Sequence, residues 1–190
     1  MIDFKKLARE NRDLVSKLRR DLHRIPETAF TEEKTSRYVA DYLKKQGLEV
    51  ETGIARYGVV GRLDGGNSGK TLMIRSDMDA LSVTEETGLD FVSTHGGVMH
   101  ACGHDGHMSM ALVAATILNQ FKKDLKGHIK FLFQPAEERP GGAMPMIEEG
   151  VMENPAVDYS VACHVWPGIP EGTIGVKAGP LMAAMDRFDL

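Results

Sequence analysis

The chain of 190 residues carries a formal net charge of −4 at pH 7, and 42% of its residues are hydrophobic. This content excludes an intrinsically disordered chain, and the length suits one substantial domain. Because the basic residues are scattered, neither a nucleic acid nor a membrane surface is expected as a partner. No apolar run approaches the roughly 18 residues of a membrane span, and the charged N-terminal segment does not resemble a signal peptide. Two cysteines make no disulfide framework, so we expect a cytoplasmic protein.

Two amphipathic helices are predicted near the N-terminus. Leucine and valine recur at helical spacing from Leu7 to Leu22, and Pro26 is expected to end this first helix. Thr31 is the predicted N-cap of the second helix, because glutamates follow it in the first turn. Gly47 is expected to end that helix.

Strands and one further helix follow along the chain. Gly58–Leu63 and Thr71–Arg75 are expected to form a β-hairpin across the turn-rich segment Asp64–Gly69. The segment His107–Phe121 is apolar on nearly every side, which predicts a buried helix. Three further strands are predicted, the last of them at a sheet edge: Gly127–Gln134, Tyr159–Val165 and Gly172–Lys177. The alternation of strands and helices indicates a layered α/β domain.

Candidate functional side chains stand near the carboxyl ends of the predicted strands. They are two aspartates, two glutamates and a histidine: Asp77, Asp79, Glu137, Glu138 and His164. In open α/β sheets, ligands bind in the crevice beyond the carboxyl ends of the strands. We therefore expect these side chains to converge on one pocket.

The segment MHACGHDGHM, residues 99–108, concentrates potential metal donors. Cys102 and His104 are separated and flanked by glycines that let the backbone turn sharply, so both side chains can face one centre. Thiolate and imidazole are good ligands for zinc and similar divalent ions. A loop with a buried cysteine and surface histidines is the alternative that needs no function. His100 and His107 are assigned supporting or structural roles rather than ligation.

Each of the other donors also has two interpretations. One of the paired glutamates in QPAEE could coordinate a metal while its neighbour takes a proton from water, or the two could be a solvated pair. Asp77 and Asp79 share a face of an extended segment, so one could hold metal and the other orient a ligand; an Asx-rich turn is the alternative. His164 could be a ligand, although a lone histidine at the end of a buried strand is more often a satisfied core residue. Taken together, the donors match the ligand set of a two-metal hydrolase.

Five motifs occur in an order and at a spacing that resemble a known family. They are RRDLHRIPE (19–27), IRSDMDALS (74–82), MHACGHDGHM (99–108), FQPAEERPGGA (133–143) and HVWPGIPEGTIG (164–175). They resemble the amidohydrolase branch of the aminoacylase and carboxypeptidase zinc metallopeptidases. That branch includes hippurate hydrolases, N-acyl-L-amino acid amidohydrolases, N-acetyldiaminopimelate deacetylases and indole-acetyl-amino-acid hydrolases. The resemblance covers essentially the whole chain.

The resemblance implies a three-layer, zinc-exopeptidase-like α/β domain with a mixed central sheet and two divalent ions, which could be zinc, manganese, cobalt or nickel. It assigns four metal ligands: Cys102, His104, Glu138 and His164. It makes Glu137 the general base and Asp79 the residue that orients a ligand, and it places Asp77 in the same catalytic motif with its duty open. The implied reaction is hydrolysis of the amide bond in an N-acyl amino acid or a similar small conjugate.

Length is the one large departure from the family pattern. Family members are much longer, with a lid domain inserted in the catalytic domain and a last histidine ligand contributed after it. Residues 1–184 are therefore expected to be the N-terminal part of the catalytic domain, and residues 185–190 the start of the lid. On this interpretation the chain is an incomplete fragment with little or no activity, and its parent enzyme is homodimeric through the absent lid.

Two other classes of function remain open from the sequence. A cysteine hydrolase would use Cys102 as its nucleophile, but that leaves both glutamates and His164 without a role. A non-catalytic domain that binds metal or a partner is the second alternative.

Overall fold

A five-stranded mixed sheet forms the centre of the protein. The computed structural model describes residues 2–66, 68–138 and 141–181. Its strands are β1 (Glu49–Ile54), β2 (Gly58–Asp64), β3 (Thr71–Asp77), β4 (His128–Gln134) and β5 (Tyr159–Ala162). Its α-helices are α1 (Phe4–Glu10), α2 (Arg12–His23), α3 (Glu33–Lys45), α4 (His104–Asn119) and α5 (Ala143–Glu148). A short 3-10 helix lies at Lys122–Asp124.

The strand order is β1-β2-β4-β3-β5. Strand β2 is antiparallel to both β1 and β4, whereas β3 is parallel to both β4 and β5. The register pairs Asp77 with Gln134, the last residues of β3 and β4. Because β3, β4 and β5 run in the same direction, the loops that follow them leave the sheet at one edge.

The predicted hairpin between the second and third strands is wrong. Strand β4 lies between β2 and β3, and the antiparallel partner that immediately precedes β2 is β1. The sequence reading missed β1 because it lies at the sheet edge and most of its residues are exposed, so it shows no apolar alternation. The turn between β2 and β3 is real, but a strand from a distant part of the chain separates the two.

One face of the sheet is covered by α2, α3 and α4. Fully buried Leu22, Leu43 and Leu112, one from each helix, belong to the same core cluster as Phe131 and Phe133 of β4. Burial of a leucine or phenylalanine side chain contributes about 1.5–3 kcal/mol, so this layer fixes the three helices on the sheet. Helix α4 is buried on most of its surface, as the apolar segment predicts.

A smaller cluster covers the opposite face. Met146 of α5 and Val151 after it pack against Val60 of β2, Met73 of β3 and Leu132 of β4. The protein therefore has helices on both faces of a mixed sheet. The predicted three-layer α/β architecture is confirmed.

The helix boundaries differ from the predictions in three places, one of which is that α4 spans His104–Asn119 rather than His107–Phe121. The first predicted helix is two helices, α1 and α2, which meet at Asn11. The N-cap of α3 is Glu32 rather than the predicted Thr31, and the Glu32 side chain makes no capping hydrogen bond. Instead, the backbone amide of Thr35 donates to the Glu27 carboxylate at 2.9 Å, which satisfies a free amide of the first turn from outside the helix.

The C-terminal part of the described chain is less regular than predicted. Strand β5 ends at Ala162 rather than at Val165, and the predicted edge strand Gly172–Lys177 is not a strand. Its alternating apolar residues are largely exposed, because within the described ranges no neighbouring strand pairs with them. The predicted domain boundary at residue 184 lies outside the described residues. No helix in the described ranges is long and apolar enough to cross a membrane.

Candidate metal centre

The loops that follow the three parallel strands bring the predicted donors together at one edge of the sheet. Asp77 ends β3, and Asp79 follows two residues later. The glutamate pair lies a few residues beyond the end of β4, and His164 lies two residues beyond the end of β5. The predicted convergence of these side chains is therefore what the structure shows.

A glycine turn delivers Cys102 and His104 to the same edge. Gly103 precedes α4 with φ +87°, a left-handed conformation that glycine adopts without strain. A Cβ atom at this position would lie only 2.4 Å from Cγ2 of Val165. The turn lets His104 begin α4 fully buried while Cys102 Sγ lies 3.5 Å from Nε2 of His164.

The two candidate histidine ligands, His104 and His164, both direct Nε2 toward the cluster, because a backbone oxygen holds Nδ1 of each ring. His104 Nδ1 lies 2.8 Å from the backbone oxygen of Asp79, and His164 Nδ1 lies 2.6 Å from the backbone oxygen of Val165. A carbonyl oxygen can only accept, so each Nδ1 carries a proton. In the neutral ring, each Nε2 therefore keeps a lone pair. Metal-binding histidines are typically oriented by this kind of hydrogen bond.

Asp79 holds the glutamate pair in place. Its Oδ1 accepts the backbone amide of Glu137 at 3.0 Å, and its Oδ2 accepts that of Glu138 at 2.9 Å. Burial alone would raise the pKa of Asp79, but the hydrogen bonds from His104 and from the two amides lower it. Asp79 is thus an ionised, buried carboxylate whose oxygens already have partners. This supports the orienting role rather than ligation.

Two buried polar atoms in the cluster lack a hydrogen-bond partner among the described residues. They are Nε2 of His104 and Oε1 of Glu138, which lie 3.7 Å apart. A buried polar atom left unpaired costs about 1–3 kcal/mol. A cation between a nitrogen lone pair and a carboxylate oxygen would remove that cost, so these residues fit a metal ion.

The donor atoms form overlapping groups of metal-site size. In one group, the ligand atoms of Cys102, His104 and His164 lie within 4.8 Å of one another. In a second group, those of His104, Glu137 and Glu138 meet the same limit. A set of sulfur, nitrogen and oxygen donors suits borderline divalent ions such as zinc. All four predicted ligands and the predicted base therefore lie in one cluster.

Negative charge dominates the cluster without a cation. Burial, followed by the nearby carboxylates of Glu138 and Glu137, raises the pKa of the Cys102 thiol to about 12. Burial and the charge of Glu138 also raise the pKa of Glu137. Nucleophilic cysteines need a lowered pKa, and this environment does the opposite. The cysteine-hydrolase alternative is therefore not supported, whereas a positive ion would relieve the repulsion.

Asp77 is held by a second set of contacts. Its carboxylate accepts hydrogen bonds from His107 Nδ1 at 2.7 Å and from Arg75 at 2.9 Å, and it lies 3.7 Å from Nε2 of His104. Burial would raise its pKa, but His107, His104 and Arg75 lower it to about 2. Sequence reasoning missed Arg75 altogether. Its hydrogen bonds to Gln134 depend on the register of β3 and β4, which the sequence does not reveal.

The two supporting histidines have different environments. His107 follows His104 by one helical turn and therefore faces the same side of α4, which the spacing alone could have indicated. His100 is buried, its ring lies 6.4 Å from that of His23, and burial lowers its pKa to about 4. Neither ring nitrogen of His100 has a hydrogen-bond partner among the described residues.

The fold and this cluster together define a metallopeptidase-type catalytic domain. Helices cover both faces of a mixed sheet, and the parallel strands lead to sulfur, imidazole and carboxylate donors at one edge. The profile of peptidase family M20/M25/M40 matches residues 73–187. The chain belongs to this family.

Several relatives are similar to nearly the whole of this chain. The N-acyl-L-amino acid amidohydrolase of Geobacillus stearothermophilus is 44% identical over 98% of this chain and 50% of its own length. Thermostable carboxypeptidase 1 of Saccharolobus solfataricus is 45% identical over 96% of this chain and 47% of its own length. A Bacillus subtilis structure described as a dinuclear metal-binding peptidase of the M20 family superposes with a TM-score of 0.84 at 39% identity, over 93% of this chain and 48% of that one. The chain thus spans about half the length of these relatives.

Proposed function

We propose that the protein is a metal-dependent amidohydrolase that cleaves the amide bond of N-acyl amino acids or similar small conjugates. The observation that carries this proposal is the pair of unpartnered buried atoms, Nε2 of His104 and Oε1 of Glu138, beside Cys102 and His164. The name of the amidohydrolase relative supports the substrate class, and the description of the Bacillus subtilis structure supports two metal ions.

The proposed metal ligands are the four residues predicted for that role: Cys102, His104, Glu138 and His164. Their mixed donor set suits zinc, manganese, cobalt or nickel. Two such ions, when bound, would supply Lewis acidity, which lowers the pKa of water and polarises an amide carbonyl. Asp79 keeps His104 and the glutamate pair in the orientation that binding requires.

Glu137 is the proposed general base. Its side chain is 39% exposed, unlike the buried imidazole of His104, and Oε2 lies 4.0 Å from His104 Nε2. A carboxylate that borders both the cluster and solvent can reach water and substrate. It would take a proton from the attacking water and deliver it to the leaving nitrogen, giving a carboxylic acid and an amine.

The proposed setting follows from the thiol ligand. Cys102 and Cys163 are both free cysteines. A reducing compartment such as the cytoplasm would keep Cys102 available as a ligand. A small N-acylated molecule is the proposed partner, and a homodimer of the parent enzyme remains a prediction.

Two isosteric substitutions at neighbouring positions test the assignment. Protein loaded with manganese, zinc or cobalt is assayed for metal content and for turnover of a panel of N-acyl amino acids. Glu137→Gln is expected to keep its metal and to lose about 10²–10⁴-fold in turnover, because it removes a general base. Glu138→Gln is the matched control and is expected to lose metal.

Three results would contradict the proposal. The reverse pattern in the two variants would exchange the roles of base and ligand. Turnover that survives a chelator but is abolished by thiol alkylation would indicate a cysteine hydrolase. Metal-loaded protein that cleaves no member of the panel would indicate a domain that binds metal without catalysis.

A further inference from the structure

Both ring nitrogens of His107 make hydrogen bonds to groups outside the proposed ligand set. It is 4% exposed and projects from α4 one turn after His104. Its Nδ1 lies 2.7 Å from Oδ1 of Asp77, and its Nε2 accepts the backbone N–H of Val165 at 2.9 Å.

These two contacts fix the tautomer of His107. A backbone N–H can only donate, so Nε2 must carry the lone pair. Nδ1 therefore carries the proton and donates it to the Asp77 carboxylate. In this state the ring has no lone pair left for a metal ion. By contrast, Nε2 of His104 has no hydrogen-bond partner among the described residues, and Nε2 of His164 lies 3.5 Å from Sγ of Cys102, itself a proposed ligand.

Val165, the residue that His107 holds, also orients His164. The Val165 amide donates to His107, and the Val165 carbonyl accepts Nδ1–H of His164. The contacts form a continuous series from Asp77 through His107 and Val165 to His164. The rings of His107 and His164 also meet directly, with centroids 4.5 Å apart at 66°.

The segment around His164 needs such an anchor because it lies outside the sheet. Strand β5 ends at Ala162, and the residues that follow it are exposed. The bond between His107 and Val165 ties this exposed segment to a helix that is itself packed in the core.

We propose that His107 is a positioning residue for His164: it holds the Val165 backbone so that His164 presents Nε2 beside Cys102 Sγ. Asp77 serves the same series of contacts by fixing the His107 ring, rather than by ligating metal. This inference rests on the proposed function, because it assigns His164 to the metal centre.

His107 also belongs to a second group of side chains that could bind a metal ion. The donor atoms of Asp77, His104 and His107 lie within 4.8 Å of one another. Ligation by His107 would require the ring to give up its hydrogen bond to either Asp77 or Val165. Substitutions that remove one bond of His107 at a time distinguish ligation from positioning.

Two amide substitutions separate the two bonds of His107. In His107→Gln the side-chain oxygen can replace Nε2 as the acceptor for Val165, whereas in His107→Asn the amide nitrogen replaces Nδ1 as the donor to Asp77 and the acceptor is lost. Two readouts are compared in the full chain: hydrogen exchange of the Val165 amide without metal, and cobalt affinity with the thiolate-to-cobalt absorption band. His164→Ala is the control for the ligand itself, and circular dichroism verifies folding.

Positioning predicts that His107→Gln keeps the Val165 amide protected and binds cobalt within about threefold of the unsubstituted protein. His107→Asn should lose that protection and weaken cobalt binding by about 10–100-fold, the usual effect of losing a residue that orients a ligand. Unchanged protection and affinity in His107→Asn would overturn the proposal. Equal loss of affinity in both variants, with Val165 still protected in His107→Gln, would show ligation instead.

The control keeps the two proposals distinguishable. If His164→Ala binds cobalt with unchanged affinity and absorption, the ligand assignment within the proposed function fails. The Val165 exchange measurement needs no metal, so it decides whether His107 anchors this segment in either case.

Discussion

The candidate metal centre has an inner half and an outer half, which are built differently. In the inner half, Asp79, His104 and Glu138 lie on or next to core elements and are joined by the Asp79 carboxylate. In the outer half, His164 lies in an exposed segment beyond β5, held by the backbone of Val165.

The difference shows two ways of positioning a ligand. Packing fixes the inner half, so a substitution there is expected to affect both the metal site and the stability of the fold. A few hydrogen bonds fix the outer half, so a substitution there is expected to affect metal binding almost alone. The comparison can therefore be tested by measuring stability and metal affinity together.

The largest expected contrast is between Asp79→Ala and His164→Ala. Asp79→Ala leaves the amides of Glu137 and Glu138 without their acceptor and should lower the free energy of unfolding by about 2–5 kcal/mol. His164→Ala removes an exposed ring and should change it by no more than about 0.5 kcal/mol. Both variants should bind metal more weakly. Urea denaturation of the metal-free proteins measures the contrast, and equal losses of stability in the two would remove the distinction between the halves.

A smaller effect is expected from acid. His100, beside the inner half, has a pKa lowered to about 4 by burial, whereas an unfolded histidine titrates near pH 6.5. The unfolded chain therefore binds the extra proton first, and this contribution to stability is complete above about pH 6.5 and is lost as the pH falls toward 4. Its full size is about 3 kcal/mol.

Chemical denaturation of the metal-free protein between pH 7 and 4 measures this contribution. His100→Gln should flatten the decline over that range, because glutamine does not titrate there. An identical pH profile in the variant would show that His100 does not carry the effect.

The smallest effect concerns the glycine that joins the two halves. Gly103→Ala imposes a left-handed conformation on alanine and drives its Cβ against Val165, at a cost of about 1–2 kcal/mol and with weaker metal binding. Gly106→Ala is the matched control, since Gly106 lies inside α4 and a Cβ there meets nothing within 4 Å. That change should be neutral or should stabilise by up to about 1 kcal/mol. Thermal unfolding and metal titration of both variants measure the difference.

The sequence predicted the layers and the donors better than their connections. Apolar periodicity indicated α2 and α3, and a continuous apolar segment indicated α4. The donors after β3, β4 and β5 indicated one shared edge. These signals are all local in the chain. Strand β1 was missed since its residues are mostly exposed. The insertion of β4 between β2 and β3 was missed because strand pairing joins segments far apart in sequence.

The contacts that orient the ligands also could not be predicted from the sequence. The predicted helix began at His107 and left His104 in the loop before it, and nothing in the sequence connected His107 with Val165, 58 residues later. Similarly, the acidic motif suggested an orienting aspartate without showing that Asp79 accepts the amides of both glutamates. Such contacts depend on how distant loops meet once the sheet has formed.

The optical spectrum of the cobalt-loaded protein tests the central claim most directly. If the donors at this edge of the sheet form a metal centre, the protein binds cobalt with a thiolate-to-cobalt absorption band. Cys102→Ser should abolish the band, whereas Cys163→Ser, which replaces the other free cysteine, should leave it unchanged. Cobalt binding without such a band, or a band that persists in Cys102→Ser, would contradict the account.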